Sequence, residues 1–465
     1  MPGSFAGLNT ALSALNYNRV AMDVAGGNIA NVSTEGYTRR RVEGASVGGP
    51  TTPAMWSRYD GHGDGVRVSG VNRMSDELLN TRSRREHGTQ AYLDVRQASL
   101  ERVENGVGEP GDAGVSAALK DFRASFAQLA ISVSTKNDAS RTAVISSASG
   151  VVDALRAQRN NIAGEAADQR VRLVGDVAEV NTVATDLAGV NAAIVAGRNG
   201  GNDVGVLLDK RDSLTLRLST LTGATSAVQA DGSATVSLGG AVLVEGRVAK
   251  SLVITSGVDS DGTADGAALS FSVDGTGTSS PVTVGAGEIG GVVTLLDETL
   301  PSYLDGLAQV ASQFATEVND LHTQGYDRDG NPGEALFDFD PSDVLNTLQV
   351  AITDPSRVAA SSVPGANTGT GTADQLAKTS GVEGAYQRLV TNLGIQVNQA
   401  QRQSTNQSAV TSQVDSAREQ LGGVNLDEEM VNMLAAQRAY ESASRLMTTL
   451  DSVLDTLINR TGLTH

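Results

Sequence analysis

Cysteine is absent from the 465 residues. That excludes disulfide staples, thiol nucleophiles and thiolate metal sites together, and leaves packing to hold the fold. Aromatic residues make up 3% of the chain, with one tryptophan, Trp56. The cores must therefore be built from Ala, Val, Leu and Ile, which suits long helices packed side by side. No run of about 18 apolar residues occurs, so no membrane-spanning helix is expected. The opening stretch, MPGSFAGLNTALSALNYNRV, has no basic region followed by an unbroken apolar core, so no Sec signal is expected either. Positive charge is scarce: 35 Lys and Arg stand against 53 Asp and Glu, for a net charge of −18. Such a surface repels a phosphate backbone, which argues against general nucleic-acid binding.

Catalytic signals are missing as well. No glycine-rich phosphate loop ends in Lys-Ser or Lys-Thr, and no HExxH occurs. The glycine patterns GHGDG (61–65) and GTG (369–371) read as plain loops. The four histidines, His62, His87, His322 and His465, are scattered without metal-ligand spacing and read as surface residues. The stretch DRDGNPGEALFD (327–338) puts Asp327, Asp329 and Asn331 at positions 1, 3 and 5 of an EF-hand loop. Pro332 stands at position 6, where the sharp turn requires Gly, and Asp338 replaces the longer Glu at position 12. A helix-to-strand turn is the expectation. No enzyme activity, cofactor or metal site is expected.

What the chain does contain is periodicity. Its length points to more than one domain. Phe5, Leu8, Leu12, Leu15, Met22 and Ile29 recur at three- and four-residue spacing, interrupted by Arg19 and Gly26, and predict an amphipathic N-terminal helix. Residues 44–72 are Gly-rich and read as loop with short extended pieces. Helices are expected over about 71–106, 113–132 and 138–197, the last with Leu173, Val177, Val180, Ala184, Leu187 and Ile194 in its seam. Asn191 lies in that seam as a polar position suited to fixing register. Between about 200 and 290 the pattern turns to period two, with Gly239-Gly240 between two runs as a hairpin turn. Helix returns over about 290–323 and 382–420 around a loop-rich part, 324–381. The last segment has the cleanest seam: Met433, Ala436, Tyr440, Ala443, Met447, Leu450, Leu454 and Leu457. Asp427, Glu428 and Glu429 favour its N-terminal dipole end, and Asn425 is suited to cap it.

The expected fold is α+β and multidomain: a long coiled-coil-like helical bundle from both termini with a small inserted β domain. The expected division is 1–70 with 423–465, 71–205 with 288–422, and the β domain at 206–287. Each end carries an apolar seam suited to the other end or to a neighbouring copy.

Between the first helix and the Gly-rich part stands NIANVSTEGYTRRR (28–41). Together with GVNLDEEMVNMLAAQRAYESASRLMTTLDSVLDTLINR at the other end, it resembles the axial proteins of the bacterial flagellum, the rod, hook and hook-associated proteins. Two interior blocks, VGVLLDKRDSLTLRLSTL (204–221) and VNDLHTQGYDRDGNPGEALFDF (318–339), resemble the hook-associated protein 1 family, which joins hook to filament. The resemblance implies a structural role in helical self-assembly at the junction, outside the cell, after export by the flagellar type III apparatus. It also implies hook protein below, the second hook-associated protein above, and a cytosolic chaperone on the C-terminal helix. The implied contact residues are Leu8, Leu12, Leu15, Met22, Ile29, Asn31, Gly36, Tyr37, Arg39, Tyr440, Met447, Leu450, Leu454 and Leu457. In that setting Tyr37 anchors the turn on a neighbour and Arg39 to Arg41 face acidic surface, on the same or another subunit. The alternatives are another axial component, either hook protein or second junction protein, and a coiled-coil adaptor.

Overall fold

The computed structural model describes residues 3–47, 65–109, 111, 114–132, 138–275, 277–365 and 369–459. Trp56, His62, most of GHGDG and His465 lie outside these, as do the side chains of Phe5 and Leu457.

The chain starts with helix α1 (Gly3–Ala30), followed by an antiparallel hairpin of β1 (Arg40–Val47) and β2 (Gly65–Arg73). Residues 71–73, expected in the next helix, belong to β2, where Val71 pairs with Val42. Helix α2 (Glu77–Val107) begins after Asp76, whose carboxylate accepts from the Leu78 and Leu79 N–H groups. Helices α3 (Val115–Ser132), α4 (Asp138–Asn199) and α5 (Gly205–Thr222) follow.

The β domain is shorter than the 206–287 expectation because 205–222 is helical. Leu214, Leu218 and Leu221 recur at helical spacing, and the last two are fully buried. Strands β3 (Thr225–Val228), β4 (Ala234–Leu238), β5 (Ala241–Glu245) and β6 (Val248–Ala249) form one antiparallel sheet. A second contains β7 (Ser251–Ser256), β8 (Ser270–Gly275) and β9 (Thr278–Val282). The β4–β5 turn is Gly239-Gly240, both at positive φ (55° and 87°), as a two-residue hairpin loop requires.

Helix α6 (Gly287–Thr294) passes through one π-turn (295–299) into α7 (Leu300–Thr323). The loop-rich part holds β10 (Phe337–Asp338), α8 (Val344–Thr347), β11 (Gln349–Val350) and α9 (Gly371–Lys378). Helices α10 (Gly381–Gly422) and α11 (Leu426–Asn459) complete the order.

Two hydrophobic cores share α4. One gathers Val144, Val151, Leu155 and Ile162 against α3, α7, α9 and α10, with Phe122, Phe126, Phe314 and Phe337 at its centre. The other sets Leu173, Val180, Leu187 and its neighbours against α5, α6 and both β sheets. Asn191, expected to fix a helical register, is instead fully buried against the β domain. Its amide donates to Ala234 O and Gly246 O and accepts from Ala234 N–H. Asn181, on the same helix, donates to Leu252 O and accepts from Leu252 N–H. Two asparagines thus hold the insertion on α4 through its backbone, where side-chain identity in the strands does not matter.

One reading at the entry to the loop-rich part changes. His322 is not a surface residue: it is fully buried, with Nδ1 donating to Glu334 O and Nε2 accepting from Ala359 N–H. Burial lowers its pKa to about 4, so the ring is neutral and ties α7 to the following loops. Asp327 serves as a turn residue: Oδ1 accepts from Asp329 and Asn331 N–H, and Oδ2 from the Asn331 amide.

Candidate assembly site

Where α1 ends, Asn31 stays attached to it, its side-chain amide donating to Gly27 O. Gly36 then takes φ 77°, a left-handed turn that costs other residues strain. The chain returns through Tyr37 to Arg41, and Asn28 holds this return. The Asn28 side chain is 1% exposed and makes four hydrogen bonds, the full capacity of an amide. Its Oδ1 accepts from Tyr37 OH (2.9 Å) and Arg40 N–H (3.0 Å); its Nδ2 donates to Arg40 O (2.9 Å) and Glu429 Oε2 (2.9 Å). Tyr37, expected to anchor on a neighbour, is therefore anchored within its own chain, and burial raises the pKa of its hydroxyl.

The arginines divide the acidic partners between them. Arg39 Nε and Nη2 meet Glu429 Oε1 at 2.8 and 2.7 Å, and Nη1 meets Glu428 Oε2 at 2.9 Å. Arg40 lies over the Tyr37 ring, 5.4 Å from its centroid, and pairs with Asp203 and Asp209. Arg73, from β2, pairs with Asp209 and Asp212. Arg41 is exposed. Asn425 caps α11, its Oδ1 accepting from Asp427 N–H, and so presents Glu428 and Glu429 to Arg39. The acidic surface that Arg39 and Arg40 face belongs to this chain. The turn, the hairpin, α5 and the start of α11 are clamped into one block.

Helix α1 packs along α11, and its most buried line is not the leucine stripe. The buried line contains Ala11, Ala25 and Asn28, and a Cβ on Gly7 would stand 3.3 Å from Leu450. Small side chains let the two backbones approach closely. On α11 the expected seam does face inward: Ala436 and Ala443 are buried, while Met433, Met447, Leu450 and Leu454 are half-buried and Tyr440 lies at the edge. On α1, Leu8, Leu15, Met22 and Ile29 are half-buried and Leu12 is 47% exposed. The hairpin occupies another side, with Val66 N–H donating to Ser13 Oγ. The paired ends thus keep apolar side chains uncovered, including Met430, Val431 and Leu434 on α11. The periodicity of α1 shows both stripes, but the alanines give too weak a hydrophobic signal to mark theirs as the pairing face.

The model of the flagellar hook-associated protein FlgK helical domain matches residues 100–337, half of the chain. The chain belongs to this family of flagellar hook-associated proteins. The two ends match models of axial proteins: residues 8–38 that of the flagella basal body rod protein, and 422–460 that of the flagellar basal body rod FlgEFG protein C-terminal part. Flagellar hook-associated protein 1 of Bacillus subtilis is 27% identical over 511 residues, covering 100% of this chain and 99% of that protein. The Escherichia coli protein of the same name is 23% identical over 555 residues, covering 97% and 99%. The structure of the flagellar hook junction protein FlgK from Burkholderia pseudomallei shares the fold with a TM-score of 0.63 at 16% identity, covering 74% of this chain and all of that one. Membership makes this chain a structural component of the flagellum, of the kind that joins hook to filament.

Proposed function

We propose that this chain forms the hook–filament junction by helical self-assembly, with α1 and α11 as its innermost layer. The long helices (77–222 with 287–422) form the layer around them, and the β insertion (225–282) faces outward. The observation that carries this reading is the uncovered apolar surface on an otherwise closed pair of terminal helices. Leu12 on α1 and Val431 and Leu434 on α11 are half or more exposed or nearly so, at 47, 65 and 50%. Contacts above and below a subunit differ, so they propagate instead of closing on themselves. Hook protein is the neighbour below and the second hook-associated protein the neighbour above. Before export through the flagellar type III apparatus, a cytosolic chaperone covers the apolar side of α11, which would otherwise invite aggregation.

The experiment is complementation of a deletion strain with Leu12→Asp. Leu12 lies outside the buried line of α1, so the variant should be secreted, stay out of the hook tip and leave filament protein in the medium. Normal filaments would sink the proposal. The chaperone is tested separately, by cytosolic co-purification that Leu434→Asp should abolish and that would be unchanged if another surface is bound.

A further inference from the structure

Helix α10 has an outer face almost without charge. Between Leu389 and Val414 fifteen positions are exposed, and one of them, Arg402, is charged. The chain as a whole is 19% charged, so about three charges would fall there even before their preference for surfaces is counted. Helix α2, packed along the other side of α10, carries ten charged residues in its 31. Amides stand where charges would be. The side chains of Asn392, Gln396, Gln399, Gln403, Asn406 and Gln413 are exposed, and none has a hydrogen-bond partner among the described residues. Ile395, 56% exposed, lies among them.

The chemistry selects the occupant. Each copy of the chain carries −18, so two copies repel wherever carboxylates would be brought together and desolvated. An amide offers donor and acceptor at once without net charge, so it can satisfy either kind of polar group on a neighbouring copy without adding a carboxylate to the contact. Depletion of charge is also what marks the core of protein interfaces. A cationic partner would gain more on the acidic remainder of the surface than here. We propose that the amide face of α10, from Asn392 to Gln413, is a lateral contact on which a neighbouring copy of this chain packs. This rests on the assembly reading above and adds to it a surface outside the terminal helices.

The test uses the full chain in a strain lacking its own copy. Gln399→Glu with Asn406→Glu should cut incorporation into isolated hook-basal bodies at least tenfold, while Gln399→Ser with Asn406→Ser stays near wild type. Wild-type incorporation of the glutamate variant would overturn the contact. Because the chain has no cysteine, Gln403→Cys provides a second readout that does not depend on export of the charged variant. Labelled at that position with a benzophenone maleimide and irradiated in the assembled structures, the chain should give a species of twice its mass. No cross-link, or a product with a different protein, would overturn the assignment to a second copy. Failure of the wild-type chain to restore filaments would count instead against the junction role itself.

Discussion

Asn28 Nδ2 lies 2.9 Å from Glu429 Oε2, across 401 positions of sequence. With the Arg39 ion pairs, that bond makes the turn after the first helix and the first turn of the last parts of the same structure. Glu429 is 3% exposed and also accepts from Arg39, so the contact is a buried, charge-assisted one.

Glu429→Ala should loosen this block more than any change at exposed Glu428. Removing one member of a buried pair leaves Arg39 and Asn28 short of an acceptor, at a cost of about 2–4 kcal/mol. Hydrogen exchange of amides near 24–30 and 426–433 should accelerate on the order of 100-fold. Unchanged protection in both segments would contradict the clamp.

Asn191→Leu is close in volume but removes three hydrogen bonds to the β domain. Ala234 N–H, Ala234 O and Gly246 O would be left unsatisfied in a buried site, and we expect a loss of about 2–4 kcal/mol. Urea denaturation followed by probes in the β domain and in α10 separately should show the β domain melting first. Coincident, unshifted transitions would refute this account of the insertion.

The neutral His322 makes a specific pH prediction. Its folded pKa, about 4, lies below the ordinary histidine value of 6.5, so the unfolded chain binds the proton first as pH falls. Stability is therefore full above pH 6.5, declines between 6.5 and about 4, and levels off below. The total loss from this group is about 3 kcal/mol. His322→Gln should flatten that part of the stability–pH curve, and an unchanged slope would assign the effect elsewhere.

Gly88 is a test of close packing. A Cβ there would stand 2.8 Å from Ser219 O on α5, a backbone atom that cannot swing aside. Ala in a helix gains about 1 kcal/mol over Gly in propensity, against roughly 1–3 kcal/mol for forcing α2 and α5 apart. Gly88→Ala should come out neutral to destabilising, by up to about 2 kcal/mol in urea titration. A clear gain would mean that the two helices separate freely.

Much of this architecture was legible residue by residue. The seams of α4 and α11, the cap at Asn425 and the Gly239-Gly240 hairpin depend on neighbours within a few positions, where spacing and turn chemistry act directly. The start of the β domain was misread at α5, because a Gly- and Asp-rich approach hides a short apolar stripe. His322 and Asn191 looked like a surface residue and a register residue, since nothing near either in sequence reports the carbonyls that each meets in the fold.

The sequence by itself determined the helical ends, the inserted strands, the absence of staples and the acidic surface, all set by local spacing and composition. Only the tertiary structure decided that Gly7, Ala11 and Ala25 form the pairing face of α1 while Leu12 stays outside. It alone decided that Arg39 and Arg40 are spent on this chain's own carboxylates. Both outcomes depend on how closely two backbones separated by hundreds of residues can approach, a steric quantity that no local pattern contains.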